Sequence, residues 1–384
     1  MNINTKYIIS QLLCKYYVIA TAFFLLLHLN GEPINVNGIS ISNFFVVLFI
    51  LISISKDKFI IDIVKIYFLP ITLILTTILF PLIGGKGAQL SHAFQSLAFL
   101  IFPYFLHKNG LSKTLFNNSF IFVFVSQIWL LLNNNFTLPP EDLGGFFVSR
   151  RTVHGLALGA FATLFVSNLR QEKWRLFFFL VIFSLLLISQ SRGAAIAFFV
   201  GFLAFGGDFL SARSRRYAAA LSAMVVALTL LWQSDLLNSY YALFSTTGGS
   251  STEYRLYLLD ILINEFGNYW LSGLPEEEIQ YIFAQTFSEG RMDQRFALDN
   301  SFTHMALRYG IFPMTILLLI SKRMIFFRKS YTFFIFAWLM LDDILGNALG
   351  WLLLGQAMLA PLWGADEASG KRGALSRRLI ITKP

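Results

Sequence analysis

Charge is scarce in this sequence. Of its 384 residues, 13% are charged and 56% are hydrophobic, where soluble domains average about 25% charged. That shortage excludes an ordinary soluble domain and predicts an integral membrane protein. Cysteine is nearly absent too: Cys14 stands alone, so no internal disulfide can form. The five histidines (His28, His92, His107, His154, His304) show neither an HExxH pattern nor paired-ligand spacing. No G-x-S-x-G elbow and no Cys/His nucleophile arrangement occurs. A metal, a hydrolase triad and a redox cofactor are therefore not expected. No repeat of 20–50 residues is present, nor a matched pair of broken helices in two halves, the pointer to many transporter folds.

What the chain has in abundance is long apolar runs. A helix needs roughly 17–25 apolar residues to cross a bilayer, and no alternating ten-residue pattern suggests a barrel. The runs predict an all-α polytopic membrane protein with about twelve spans: 8–28, 39–55, 66–84, 92–106, 114–132, 152–169, 175–190, 193–210, 217–233, 301–320, 331–347 and 349–363. The first run lacks a small-residue cleavage site and reads as a retained helix. The expected organisation is nine spans over 1–233, a large loop over 234–300, three spans over 301–363 and a tail over 364–384.

The formal charge of +9 invites a nucleic-acid reading, but its distribution opposes one. With the N-terminus inside, 22 of the 30 basic residues fall on inside segments, as the positive-inside rule requires. Both termini are then cytoplasmic and the 234–300 loop is outside. The other eight are Lys86, Arg150, Arg151, Arg192, Arg255, Arg291, Arg295 and Arg308. Seven of these are arginine, whose planar fork suits bidentate phosphate or carboxylate binding. An outward set of this kind implies an anionic ligand at the outer leaflet.

The large loop should be partly helical. Ser250-Ser251-Thr252 can cap a helix from about Glu253 to Phe266, stopped by Gly267, with Arg255 in its first turn. Pro275 followed by Glu276, Glu277 and Glu278 starts a second helix of about ten residues, and the glutamates read as first-turn charges favoured by its dipole. Trp270 and Tyr269 read as interface anchors. In span ten, Asn300, His304 and Arg308 share one helical face. Arg308 lies about 10 Å in at 1.5 Å per residue, a costly depth for a charge unless it faces a cavity or a partner. Asp342 and Asp343 of span eleven are the candidate partners of a structural ion pair.

Several short motifs resemble one family. Ser191-Arg192-Gly193-Ala194-Ala195 opens a span. Trp270-Leu271-Ser272-Gly273-Leu274 lies in the large loop, and Asp299-Asn300-Ser301-Phe302 with Tyr309-Gly310-Ile311-Phe312 closes it. In order and topology these resemble the O-antigen ligase and polysaccharide polymerase superfamily over about residues 150–320. The resemblance implies a GT-C-like membrane glycosyltransferase at the outer face of the bacterial inner membrane. Its partners would be undecaprenyl-pyrophosphate-linked oligosaccharides, the bilayer and a chain-length regulator protein, with no cofactor and no nucleic acid. Where ligases place a histidine before Asn-Ser, this chain has Asp299, which favours a Wzy-type polymerase over a ligase. A transporter or flippase of lipid-linked sugars is the competing class.

The implied site follows from that chemistry. Arg192 and Arg255 would stabilise the departing pyrophosphate. Asp299 would be the general base, with Glu253 second, while Asp299 as an N-cap of span ten stays open. Arg192 as a headgroup anchor, and Arg291 and Arg295 as loop surface charges, stay open likewise. Arg150, Arg151, His154, Arg291, Arg295, Asn300, His304 and Arg308 would bind substrate.

Overall fold

The computed structural model describes residues 15–22, 35–36, 39–54, 60–83, 90–133, 151–189, 191–208, 210–232, 260–275, 277–279, 300–341, 345 and 348–360. Arg150, Glu253, Arg255, Arg291, Arg295, Asp299, Asp342 and Asp343 lie outside them.

The described chain is helical apart from a two-residue antiparallel ladder, β1 (Asn35–Val36) with β2 (Ile39–Ser40). The helices are α1 (15–22), α2 (Ile41–Ile54), α3 (Ile60–Ile83), α4 (Leu90–Lys108), α5 (Ser112–Asn133), α6 (Arg151–Asn168) and α7 (Glu172–Ile188). They continue with α8 (Arg192–Phe205), α9 (Ala212–Trp232), α10 (Ser301–Tyr309), α11 (Ile311–Phe326), α12 (Ser330–Leu341) and α13 (Ala348–Met358). Each of the twelve expected apolar segments overlaps at least one of these helices, with edges that differ by several residues.

Two packing groups share one core. α12 lies against α6 and α8, and α7 joins them. The Phe179, Phe198 and Phe202 rings fill the α7–α8 contact at centroid distances of 4.7–5.5 Å. In the other group α13 runs along α4, and α3 packs on α4 and α11. Tyr331 of α12 donates to the Leu353 carbonyl at 3.0 Å and so ties the groups together. Outward faces carry large apolar side chains, among them Phe94 at 72% exposure and Phe326 at 82%. Water would penalise so much contiguous apolar surface, and lipid does not.

Among the described residues, Asp62–Ile83 is the helix long and apolar enough to cross a bilayer alone. Ile41–Ser53, Gly155–Asn168, Gly193–Phe205, Ser330–Leu341 and Ala348–Met358 are apolar but shorter.

Span ten departs from expectation. It is two helices, broken at Gly310, which has φ +95. That left-handed conformation suits glycine alone and turns the chain where hydropathy reads one continuous run. The large loop differs as well. Its described helical segment 260–264 ends in a turn at Glu265, and a second turn of helix follows at Phe266–Tyr269. Gly267 sits inside that turn and does not stop the first helix. Pro275 does begin helical geometry, since its carbonyl accepts from Glu278 and Ile279.

Candidate functional site

The loop is bound to the helix break by a reciprocal contact. The Leu274 amide donates to the Leu307 carbonyl at 2.7 Å, and the Ile311 amide to the Trp270 carbonyl at 2.9 Å. Between these bonds lie Gly273, with φ +75, and Gly310. A Cβ on Gly273 would stand 2.3 Å from the Arg308 carbonyl, and one on Gly310 would stand 2.5 Å from the Leu271 carbonyl. Each glycine is required by the backbone of the opposite segment, so Trp270–Leu274 and Leu307–Ile311 form one clasp.

α10 starts from Asn300. Its Oδ1 accepts from the Phe302 amide at 3.1 Å and from the Thr303 amide at 2.9 Å, with the Thr303 hydroxyl adding a third bond at 3.1 Å. The N-cap of the span is thus Asn300, and the capping alternative held open for Asp299 falls to its neighbour. One turn on, His304 is buried and its ring stacks on Tyr309 at 5.7 Å between centroids.

Beside the clasp a cavity of about 410 Å³ opens between α3, α4, α10, the loop and the start of α13. His304 and Arg308 reach it from α10, one turn apart as their spacing predicts, together with His92 and Ser96 of α4. Leu274, Leu345 and Trp351 supply an apolar wall, and the Trp351 indole is fixed by donating to the Leu345 carbonyl at 3.0 Å. Pro81 and Thr77 also line it. Pro81 has no N–H to offer the Thr77 carbonyl four residues back. Phe80 stacks on Phe312 at 4.9 Å and 7°, pinning the end of α3 to α11 just past the break. Sequence reasoning does not single out His92 and Ser96. The signal available was a titratable and a polar side chain four apart, opening an apolar helix.

A second cluster forms where α6, α8 and α12 meet. Ser191 is buried, and Gly155 of α6 lies so close that a Cβ there would overlap the Ser191 hydroxyl. Gly193 faces the Leu341 side chain, at 3.0 Å from a Cβ position. The small residues on either side of Arg192 therefore seat the first turn of α8 between α6 and α12. Arg192 is the first residue of α8, and Arg151 and His154 lie in the first turn of α6, with His154 next to Gly155. The two clusters are close in sequence at the end of α12. Leu341 touches Gly193, and Leu345, four residues on, lines the cavity; four residues can span at most about 14 Å. Among the described residues no group of three or more His, Cys, Asp or Glu is arranged to hold a metal ion.

An apolar helical bundle with exposed aromatic faces and a polar cavity beside a loop–helix clasp is that of a helical membrane protein. Residues 176–318 match the Wzy_C family, described as O-antigen ligase, and the match supports the O-antigen ligase/polymerase superfamily for this chain. It takes in Arg192, the whole large loop, the clasp and α10. No curated protein matches the chain.

Proposed function

We propose that this chain is a membrane glycosyltransferase that joins undecaprenyl-pyrophosphate-linked repeat units into O-antigen, capsule or exopolysaccharide at the outer face of the inner membrane. Twelve spans, cytoplasmic termini and an outward 234–300 loop belong to the same reading. Members of the matched superfamily transfer glycosyl groups. The observation that carries the proposal is the clasp, which seats the Trp270–Leu274 and Tyr309–Phe312 motifs on one helix break beside a polar cavity.

In the proposed reaction an acceptor hydroxyl oxygen attacks the anomeric carbon of the donor glycan. The bond from that carbon to the pyrophosphate oxygen breaks, and the pyrophosphate leaves with the electron pair. Arg192 and Arg255 oppose the charge that grows on it, which lowers the transition state more than the ground state. Asp299 takes the hydroxyl proton, with Glu253 as the second candidate. Arg150, Arg151, His154, Arg291, Arg295, His304 and Arg308 bind substrate. Asn300 contributes through its amide N–H groups alone, since its oxygen caps α10.

The experiment is deletion of the gene, read on a polysaccharide gel. A polymerase leaves one repeat unit on the surface lipid, because export and ligation continue. Loss of every repeat unit indicates the ligase or the flippase instead.

A further inference from the structure

We propose that the cavity between α3, α4 and α10 is the acceptor-sugar subsite, gripping the non-reducing end of the lipid-linked repeat through His92, Ser96, His304 and Arg308. The inference rests on the polymerase reading and adds to it a place and a class of ligand. The volume of about 410 Å³ falls within the roughly 300–1,000 Å³ usual for small-ligand sites. It suits a short saccharide and is far too small for a polyprenyl chain. Its walls match sugar chemistry. Hydroxyl edges meet the imidazoles, the guanidinium and the Ser96 hydroxyl, while the C–H faces of a pyranose meet Leu274, Leu345 and Trp351. His92 and Ser96 lie on one face of α4, one turn apart, and His304 and Arg308 repeat that spacing on α10. The ligand is therefore held between two helices fixed independently, α4 by α13 and α10 by the clasp.

The position also fits. α10 is capped by Asn300, and Asp299 is the residue before that cap in sequence. The donor's leaving diphosphate belongs with Arg192, the first residue of α8.

The lone cysteine makes a direct test possible. In a full-length Cys14→Ser background, His92→Cys is treated in intact cells with a charged, membrane-impermeant methanethiosulfonate. Three strains are compared: one making no lipid-linked sugar, one making only the first sugar on the lipid diphosphate, and one making the complete repeat. Labelling is expected in the first two and should fall several-fold in the third. Equal labelling in all three overturns the subsite, as does its absence throughout. Protection by the truncated intermediate overturns it in favour of a diphosphate site. As a second readout, Ser96→Trp fills the cavity and should abolish long chains at unchanged protein level. Wild-type chains from that variant also overturn the proposal. If gene deletion leaves the polysaccharide unchanged, the polymerase reading itself fails. If deletion stops polymerisation while labelling stays flat, the subsite alone fails.

Discussion

Asn300 and Asp299 are neighbours with separable tasks. Asn and Asp rank alike as N-caps, and replacing either with alanine costs about 1 kcal/mol. Asn300→Ala should therefore lower the melting temperature of the detergent-solubilised protein, and Asn300→Asp should restore it. Asp299→Asn leaves the Asn300 cap in place but removes a base. General-base catalysis is worth ~10²–10⁴-fold, so this variant should insert normally and elongate that much more slowly in membranes normalised for protein. Elongation at the wild-type rate would move the base to Glu253. Arg192→Lys keeps the charge and loses the bidentate fork. It should eliminate long chains at normal protein level, and wild-type lengths would reduce Arg192 to a surface anchor.

At the scale of elements, the clasp carries the clearest mutational signature. Gly273→Ala and Gly310→Ala each place a methyl within 2.5 Å of backbone at a positive φ. A non-glycine residue held in such a conformation costs about 1–3 kcal/mol, and the overlap adds to it. Both variants should speed protease cleavage within 234–300 and lower activity, with no second substitution on the facing side chains able to rescue them. At the other end of the bundle Glu172, opening α7, accepts from the Ser211 amide at 2.6 Å just before α9. The Ser211 amide foremost, then the Ser211 and Ser214 hydroxyls and Arg175, hold its carboxyl below the usual carboxylate range. The unfolded chain then binds the proton more readily, so this contribution is present above the ordinary carboxylate pKa and is lost as pH falls from there through the lowered folded value. Melting curves between neutral and acid pH should show a steeper loss for wild type than for Glu172→Gln.

Why α10 and α11 read as one span has a physical answer. Gly310 sits in an apolar run, and a single glycine within a helix costs only about 1 kcal/mol relative to alanine, too little to mark a break. The break is imposed by Leu271 and Trp270, which lie far off in sequence. Local signals are more legible: His304 and Arg308 share the face that lines the cavity, while Asn300 caps the helix from just outside it, and Pro275 starts helical geometry. The cavity is not legible in the sequence because it needs α4 beside α10, a pairing that no periodicity encodes, and His92 alone carries no ligand spacing. The break also changes the energetics of Arg308. α10 spans only about 13 Å at 1.5 Å per residue, and Arg308 opens to a cavity beside the loop, so it avoids the cost of a charge facing hydrocarbon.

For the whole molecule, the exposed apolar faces of α2, α3, α4 and α11 set the solvent. Alkaline carbonate should leave the chain in the membrane pellet, and detergent should release it. Release by carbonate alone would contradict a bilayer-embedded bundle.

The clasp further constrains the order in which the chain is built. The loop emerges from the ribosome before α10 and α11, yet its seat is the junction between those two helices. Residues 270–274 therefore stay undocked until Ile311 and the rest of α11 have entered the bilayer. The proposed active site is thus among the last parts of the protein to assemble, and an interrupted chain ending before residue 301 has no means of assembling it early.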